Sequence, residues 1–271
     1  MRGSTPAPGR EFATVGGHTS CVAIPARDDR WLLLDAGTGM ARLAGPLDGA
    51  PLRATIVLTH LHWDHTHGLP FLPNADRADA EIDVLVPAQP DGATALATMA
   101  RAMSPPHFPV APDGLLGTWR YRSLNPGRWE IEGFDVTVAE IHHGGGRTFG
   151  YRVADASGSL AYLPDHSPRL APPARREDAA ALVRGVDVLL HGAGYVDAER
   201  DIADGYGHAT VGDAVDLATE GAVGCLVLIH HAPRRTDDEV AAIEGGLAES
   251  PHPFSIDVGR EGTWVDVGAR R

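Results

Sequence analysis

Residues 54–65 read ATIVLTHLHWDH, a short apolar run that ends in four side chains able to bind metal: His60, His62, Asp64 and His65. The apolar run is typical of a buried strand, and the residues after it are typical of a turn. Such a strand and turn can aim His60 and His62 to one side while Asp64 and His65 face a second point nearby. Imidazole and carboxylate groups are ligands of Zn²⁺ and similar cations. The segment therefore predicts a site for two metal ions.

One segment cannot complete two coordination shells, so this hypothesis requires further ligands elsewhere in the chain. Three other apolar runs end in residues of the same chemical types. Open α/β sheets build their sites at the carboxyl ends of strands, so these residues are expected to meet the first segment. The three additional segments are His142-His143, Asp165-His166 and His230-His231.

The composition excludes several kinds of mechanism and partner. The chain has 271 residues, with 36 acidic side chains against 23 basic ones and a formal net charge of −13. Every basic residue is an arginine, which excludes any mechanism that needs a Schiff-base or phosphate-gripping lysine. Nucleic-acid binding draws its affinity from clustered cations that neutralise phosphates. We therefore expect no long nucleic acid as a partner.

The rest of the chain alternates short apolar runs with loops and helical patterns. We expect one domain over residues 1–271, because the histidine-bearing segments on both sides of the middle have to meet. The Pro- and Ala-rich stretch 87–127 is predicted to be a cap insertion. Strands are predicted at 20–24, 31–35, 54–59, 82–86, 134–141, 149–153, 160–163, 186–191, 225–229 and 263–267, and helices at 93–103, 174–183, 211–220 and 237–249.

Three helix starts can be read from the sequence. Thr236 with Glu239 fits a capping box, and Thr210 with Asp213 fits a weaker one. Pro173 fits the first turn of a helix, where its missing N–H costs nothing.

The chain resembles the metallo-β-lactamase superfamily of dinuclear metal hydrolases over nearly its whole length. Within it, the chain is similar to the branch that holds ribonuclease Z and the phosphoribosyl cyclic phosphodiesterases. The resemblance implies an αββα sandwich of two mixed β-sheets flanked by helices. Besides THLHWDH, it rests on GGHTSCVAI (16–24), LLLDAGTG (32–39), HGLPF (67–71), GYRV (150–153), LAYLPDHSP (160–168), DVLLHGAGY (187–195), GHAT (207–210) and LVLIHHAPRRTDDE (226–239).

The resemblance also implies how the ligands are shared between the metals. Asp165 would bridge both ions. In the 142–143 doublet His143 is preferred, because it lies closer to the GYRV segment, and His142 is the alternative. His230 is preferred to His231 because it stands three residues before Pro233. One ion would be bound by His60, His62 and His143, and the other by Asp64, His65 and His230.

Two divalent ions about 3.5–4 Å apart can hold a bridging hydroxide that attacks a phosphorus centre. Asp64 and His208 are the predicted catalytic residues. His208, in GHAT, matches the position that in ribonuclease Z-like enzymes supplies a histidine, and there it would protonate the leaving alkoxide. The alternative role for His208 is structural support of the following helix. Asp35, in the DAGTG turn, is expected to help fix the site rather than to bind metal.

The predicted function is therefore a dinuclear metal-dependent phosphodiesterase that acts on a small or cyclic phosphodiester. One alternative is a metal-dependent lactone, thioester or lactam hydrolase, and the other is a non-catalytic metal-binding protein of the same fold. Two Zn²⁺ ions are expected, with Mn²⁺ or Fe²⁺ as alternatives. Arg147, Arg152 and the pair Arg234-Arg235 flank the ligand segments and are candidates for phosphate contacts.

Two further expectations concern location and assembly. No run approaches the roughly 20 apolar residues of a membrane-spanning helix, and residues 1–30 show no signal-peptide pattern, so we expect a cytoplasmic protein with no membrane partner. A homodimer is an open alternative. The family usually opens with a strand before an RGSTP-like loop, whereas here RGSTP follows Met1 directly, so that strand is expected to be absent or to precede the given start.

Overall fold

The computed structural model describes residues 1–268, which form two compact units, each with its own buried apolar core. The smaller unit contains residues 20–125 and 130–133. The larger unit contains residues 1–19, 126–129 and the chain from 134 onwards.

The smaller unit is built on a five-stranded sheet. Its strands are β1 (Val22–Pro25), β2 (Trp31–Leu34), β3 (Arg53–Val57), β4 (Glu81–Pro87) and β5 (Thr118–Leu124), in that spatial order. The β1–β2 pair is antiparallel and the other pairs are parallel, so the sheet is mixed. Its helices are α1 (Ala44–Leu47), α2 (Trp63–Thr66) and α3 (Ala95–Ala100).

The larger unit is built on a seven-stranded sheet with the spatial order β12-β11-β10-β9-β8-β7-β6. Strands β9 to β12 run parallel, whereas β7, β8 and β9 pair antiparallel, so this sheet is mixed as well. The bounds are β6 (Gly127–Ile131), β7 (Phe134–Ile141), β8 (Thr148–Ala154), β9 (Ser159–Leu163), β10 (Val188–Gly192), β11 (Cys225–Ile229) and β12 (Ser255–Val258), with helices α4 (Pro173–Val183), α5 (Arg200–Tyr206), α6 (Val211–Gly221) and α7 (Asp237–Ala248).

The predicted fold class, two mixed β-sheets flanked by helices, is confirmed. Nine of the predicted strands correspond to observed ones within a few residues, and most of them are apolar runs that the core buries. In β9, β10 and β11 every residue is buried, which explains why these strands read as continuous apolar runs rather than as alternating ones. Among residues 1–268, no helix has the length and apolar character that crossing a bilayer requires.

The strand prediction fails at four places. Residues 263–267 (TWVDV) form no strand, although their composition favours one. Strands β5, β6 and β12 were not predicted, since most of their residues are exposed or only half-buried and their sequences are charged. β-propensity reports how a side chain fits a packed surface, so strands with little burial give a weak signal.

The helix starts agree with their predictions. Thr236 and Glu239 form the capping box of α7, and Thr210 with Asp213 forms that of α6. Pro173 occupies the first turn of α4. Within the stretch 87–127, β5 pairs with β4 along its whole length, so the end of this stretch belongs to the smaller unit's sheet. The single domain with a cap insertion stays a prediction.

Candidate metal centre

The smaller unit presents the 60–65 ligands directly after β3. His62 caps the short helix α2, which carries Asp64 and His65. The ligand atoms of His60 and His62 lie within 4.8 Å of each other, and so do those of Asp64 and His65. His60, Asp64 and His65 are buried, whereas His62 is exposed. The segment thus offers two pairs of ligand atoms, as the sequence predicts.

Asp35 fixes the orientation of this segment. Its backbone adopts a left-handed conformation with φ +63°, which is rare for a residue other than glycine. Its carboxylate accepts hydrogen bonds from the backbone N–H of Thr59 (2.7 Å) and from the ring of His65 at Nδ1 (2.7 Å). The other ring nitrogen of His65, Nε2, lies 3.2 Å from Asp64 Oδ2. Asp35 therefore holds the His65 ring so that Nε2 faces Asp64, the other member of its ligand pair, as expected of a supporting carboxylate.

The substitution Asp35→Asn is expected to weaken metal binding by about 10- to 100-fold, the usual cost of losing a partner that orients a ligand. Asparagine keeps the volume but loses the charge that holds His65 in its tautomer. Titration of the metal against a chromogenic chelator measures the change. Asp79→Asn is the matched control in the same unit, because Asp79 pairs with Arg77 on the exposed surface. Equal metal affinity in Asp35→Asn and the parent protein would contradict the role of Asp35.

The larger unit places its ligands after β7, β9 and β11, which run in the same direction and end at one edge of the sheet. Asp165 Oδ1 lies 3.0 Å from Nε2 of His230, and Asp165 also lies within 4.8 Å of the ligand atom of His143. All three side chains are nearly fully buried. Asp165 therefore stands between the two histidines of this unit.

His143 is the histidine of the 142–143 doublet that lies beside Asp165. It is buried, and its Nδ1–H donates a hydrogen bond to the carbonyl of Gly207 (2.8 Å), which leaves Nε2 to act as the ligand. A Cβ on Gly207 would lie 1.5 Å from the carbonyl oxygen of His143, and Gly207 has φ +71°. Only glycine fits that position. The sequence analysis gave Gly207 no role, although its place at the start of GHAT is a signal for a tight turn.

His230 and His231 have different environments. His230 has a left-handed backbone, φ +55°, and a Cβ on Gly3 would lie 2.4 Å from its ring. His231 is buried and forms an isolated β-bridge with Arg2. Burial lowers the pKa of His231 well below its ordinary value, so its imidazole is neutral. His230 is thus the histidine of this doublet whose Nε2 lies beside Asp165, and its role as a ligand stays a prediction.

His208 lies at the same edge as the larger unit's ligands. Its side chain is 13% exposed, and its Nδ1 is 3.4 Å from Asp165 Oδ1. Its ring centroid lies 4.8 Å from that of His143 and 5.4 Å from that of His230. Tyr195 is a neighbour that the sequence analysis did not single out, with its ring centroid 5.9 Å from that of His208. His208 is therefore beside the ligands and partly open to solvent.

Three of the four arginines suggested as phosphate contacts are engaged elsewhere, and Arg234 is exposed. Arg152 donates to the main-chain carbonyl of Arg184 (2.7 Å), which ties β8 to the end of α4. Arg147 pairs with Glu140 (3.0 Å), and Arg235 pairs with Glu199. These guanidinium groups therefore serve local structure in the larger unit.

The residue types present fit divalent metal ions. The chain carries clusters of histidine and aspartate that could hold metals, and these are the nitrogen and oxygen ligands that zinc and related ions accept. Three histidine rings are oriented at Nδ1: His65 by Asp35, His143 by Gly207, and His60 by Thr59 Oγ1 at 3.1 Å. Such outer contacts are typical of metal-ligating histidine.

Comparison with known proteins identifies relatives of this chain. The family model described as "Beta-lactamase superfamily domain" matches residues 30–231. The Ribonuclease Z of Nocardia farcinica is 27% identical, over 78% of this chain and 82% of the relative. The Ribonuclease Z of Salinibacter ruber is 29% identical, over 81% of each chain.

Solved structures share the fold at low sequence identity. The metallo-beta-lactamase fold protein YhfI from Bacillus subtilis has a TM-score of 0.68 and 16% identity, over 97% of this chain and 98% of its own. Human tRNase Z, short form, has a TM-score of 0.63 and 18% identity, over 98% of each chain. A diphosphatase from the PhnP family has a TM-score of 0.60 and 17% identity, over 92% of this chain and 85% of its own.

The expectation that no long nucleic acid is a partner is wrong in light of these relatives, which are named ribonucleases. That expectation rested on the net charge of −13, which is a sum over the whole chain and does not describe any one site. Binding of RNA depends on the groups that line one site, including aromatic rings and metal ions, so an acidic total does not exclude it.

Proposed function

The chain belongs to the β-lactamase superfamily, in its ribonuclease Z-like branch, and on this premise we propose that it is a phosphodiesterase. Membership makes it a metal-dependent hydrolase. The observation that carries the finer proposal is the position of His208 beside Asp165, which puts a partly exposed histidine next to metal ligands. That arrangement suits hydrolysis of a bond whose leaving alkoxide needs a proton.

We propose the two ligand sets that the resemblance implies for a dinuclear site. Asp165 is proposed as the shared ligand, supported by its proximity to both His143 and His230. Each ligand pair of the 60–65 segment supplies only part of the roughly four ligands that zinc takes, so further ligands are needed to complete both shells. The proposed sets are His60, His62 and His143 for one ion, and Asp64, His65 and His230 for the other.

The chain's own residues then perform separate tasks. When bound, two divalent ions supply activation of water and neutralisation of phosphoryl charge. Asp35 and Gly207 hold ligand rings in place through their hydrogen bonds. His208 holds a proton at the edge of the site and gives it to the leaving oxygen. We propose Zn²⁺ as the metal. Comparing the activity of protein reconstituted with Zn²⁺, Mn²⁺ or Fe²⁺ tests this choice.

The test is hydrolysis of bis(p-nitrophenyl) phosphate by protein loaded with Zn²⁺ or Mn²⁺, compared with protein stripped by a chelator. We expect turnover that disappears on stripping and returns with metal. A lactone, a thioester and a β-lactam are assayed beside the diester. Faster hydrolysis of one of these, with no diester turnover, would replace the proposal by the carboxylic-ester alternative. Metal binding without any turnover would favour the non-catalytic alternative.

The finer part of the proposal concerns the substrate, which we take to be a small or cyclic phosphodiester. A cyclic nucleotide, a cyclic sugar phosphate and a precursor RNA are compared at equal metal loading. The RNA is included because relatives are named ribonucleases. A higher kcat/KM for the RNA than for the small diesters would instead assign the chain the ribonuclease activity for which those relatives are named.

A further inference from the structure

The larger unit contains a cavity of about 390 Å³ that we call the α4–α6 cavity. It is bounded by α4, by α6, by the first residue of α5 and by the segment that follows β9. Its polar lining includes His166, Arg176, Arg200, Asp213, Asp216 and Glu220. None of these residues belongs to the proposed ligand sets. The volume falls within the range of about 300–1,000 Å³ that is usual for small-molecule sites.

His166 lies in the wall of the α4–α6 cavity, and its hydrogen bonds define its tautomer. The side chain is only 1% exposed, and its Nδ1 lies 3.0 Å from Nε2 of His191. Nδ1 of His191 lies 2.7 Å from the carbonyl oxygen of Gly192, which can only accept, so this nitrogen carries the proton. Burial lowers the pKa of His191 to about 4, so the ring is neutral and its Nε2 is an acceptor. His166 therefore donates from Nδ1.

The other ring nitrogen of His166 is then a buried acceptor. Burial lowers the pKa of His166 well below its ordinary value, so Nε2 carries no proton. Within residues 1–268 this nitrogen has no hydrogen-bond partner, although buried polar groups in folded proteins are nearly always paired. In the described chain His166 also belongs to no group of three side chains that could hold a metal ion. Its Nε2 is therefore suited to an N–H or O–H donor of a bound molecule.

The acidic residues of α6 indicate the charge of that molecule. Asp213, Asp216 and Glu220 line the cavity from the same helix. Asp213 pairs with Arg200 at 3.0 Å, whereas Asp216 and Glu220 form no ion pair with any residue that the structure describes. These two carboxylates stand four residues apart on the helix, where like charges repel each other. A cation in the cavity would relieve this repulsion.

The arginines of the lining do not cancel the acidic charge. Arg169 pairs with Asp204, and Arg200 pairs with Asp213. Arg176 donates to the main-chain carbonyl of Arg169 (2.7 Å) and, among the described residues, to no carboxylate. One unpaired guanidinium against two unpaired carboxylates leaves the lining one unit negative. This balance favours a cation over an anion such as a phosphate.

We propose that the α4–α6 cavity binds a small organic amine, whose ammonium group donates a hydrogen bond to Nε2 of His166. Asp216 and Glu220 attract its positive charge. An ammonium group combines the N–H donor and the charge that the lining requires, whereas a polyol has donors without charge. This site goes beyond the proposed phosphodiesterase function and does not depend on it.

The test is calorimetric titration of the metal-loaded protein with three probes that have a four-carbon chain: 1,4-diaminobutane, 1,4-butanediol and succinate. We expect the diamine to bind about 5-fold or more tightly than the diol, because hydrogen bonds to charged groups are stronger than those between neutral ones. Succinate should not bind, because the lining has a negative excess. A diol that binds as tightly as the diamine would overturn the proposal, and so would a diamine that does not bind.

The double variant Asp216→Asn with Glu220→Gln tests the role of the carboxylates. Both residues are exposed, so the variant should fold, and circular dichroism checks this. We expect its affinity for 1,4-diaminobutane to fall by about 2- to 30-fold, the effect of losing two exposed ion pairs. Asp238→Asn with Glu249→Gln is the matched control, because it removes the same charge from exposed residues outside the cavity. An equal loss of affinity in the control would overturn the proposal.

Nuclear magnetic resonance of protein labelled with ¹⁵N-histidine tests the contact with His166 directly. We expect the proton of His166 on Nδ1 and a change in the Nε2 resonance when 1,4-diaminobutane is added. His166→Phe should abolish this binding, and if that variant does not fold, the spectrum of the parent protein decides. An Nε2 resonance that the diamine leaves unchanged would show that ordered water alone pairs with this nitrogen, which would overturn the proposal.

Protein stripped by a chelator separates this site from the metal centre. The lining contains none of the proposed metal ligands, so the affinity for 1,4-diaminobutane should be the same with and without metal. Binding that disappears on stripping would place the amine on the metal and overturn the proposal. If diesters are not hydrolysed while the diamine still binds, the phosphodiesterase proposal fails and the amine site stands.

Discussion

Asp165→Ala is expected to lower kcat/KM for bis(p-nitrophenyl) phosphate by about 10⁴-fold or more, the scale seen when one member of a catalytic unit is removed. Asp165 is nearly fully buried, and Oδ1 lies 3.0 Å from His230 and 3.4 Å from His208. We propose that it is shared by both metals, so its loss weakens both shells at once. Metal content after dialysis measures the loss of metal, and steady-state kinetics measure the loss of activity.

The control for this prediction is Asp178→Ala, which removes a half-exposed carboxylate of α4 that pairs with Arg175. Its kinetics and metal content should match those of the parent protein. The fold of Asp165→Ala is checked by circular dichroism, because removing a buried carboxylate that faces histidines can change stability in either direction. A folded Asp165→Ala protein that retains two metals and full activity would show that Asp165 is not the shared ligand.

His208→Ala is expected to lower the rate on diesters with a poor leaving group by about 10²- to 10⁴-fold, the usual contribution of a general acid. An alkyl alkoxide needs a proton as it leaves, whereas p-nitrophenolate leaves readily without one. The loss on bis(p-nitrophenyl) phosphate should therefore be much smaller. His208 is next to Asp165 but is not assigned as a ligand, so the metal content should stay at the parent level.

The dependence on the leaving group distinguishes proton donation from a structural role. A structural defect would lower the rate on both kinds of diester by the same factor. His107→Ala, a substitution of an exposed histidine in the smaller unit, is the matched control and should change neither rate. Unchanged rates on alkyl diesters in a metal-loaded His208→Ala protein would remove His208 from the mechanism.

The site was predictable where ligand chemistry coincides with the end of an apolar strand. His60, Asp165 and His230 each follow a strand whose residues are mostly buried, and burial produces a clear sequence pattern. In the larger unit, β7, β9 and β11 run in the same direction, so the residues that follow them lie at one edge of the sheet. This part of the prediction needed only the sequence and the rule for strand ends.

The supporting residues were harder to predict because they act through the backbone. Gly207 contributes a carbonyl that accepts a hydrogen bond from His143, and any residue type has such a carbonyl. The choice between His142 and His143 depends on which of two adjacent side chains turns inward after β7, which a doublet does not reveal. The exposed strands β5 and β6 were missed because a strand that buries few residues leaves no apolar pattern.

The order of the ligands along the chain also bears on how the centre is assembled in time. Four ligands fall between residues 60 and 65, whereas those of the larger unit are spread from 143 to 230. Closing a short loop costs little entropy, but bringing the distant segments together has to wait until the sheet that contains β7 to β11 has formed. We therefore expect the nascent or refolding chain to capture an ion first on the 60–65 segment, which makes the smaller unit the nucleus of metal-coupled folding.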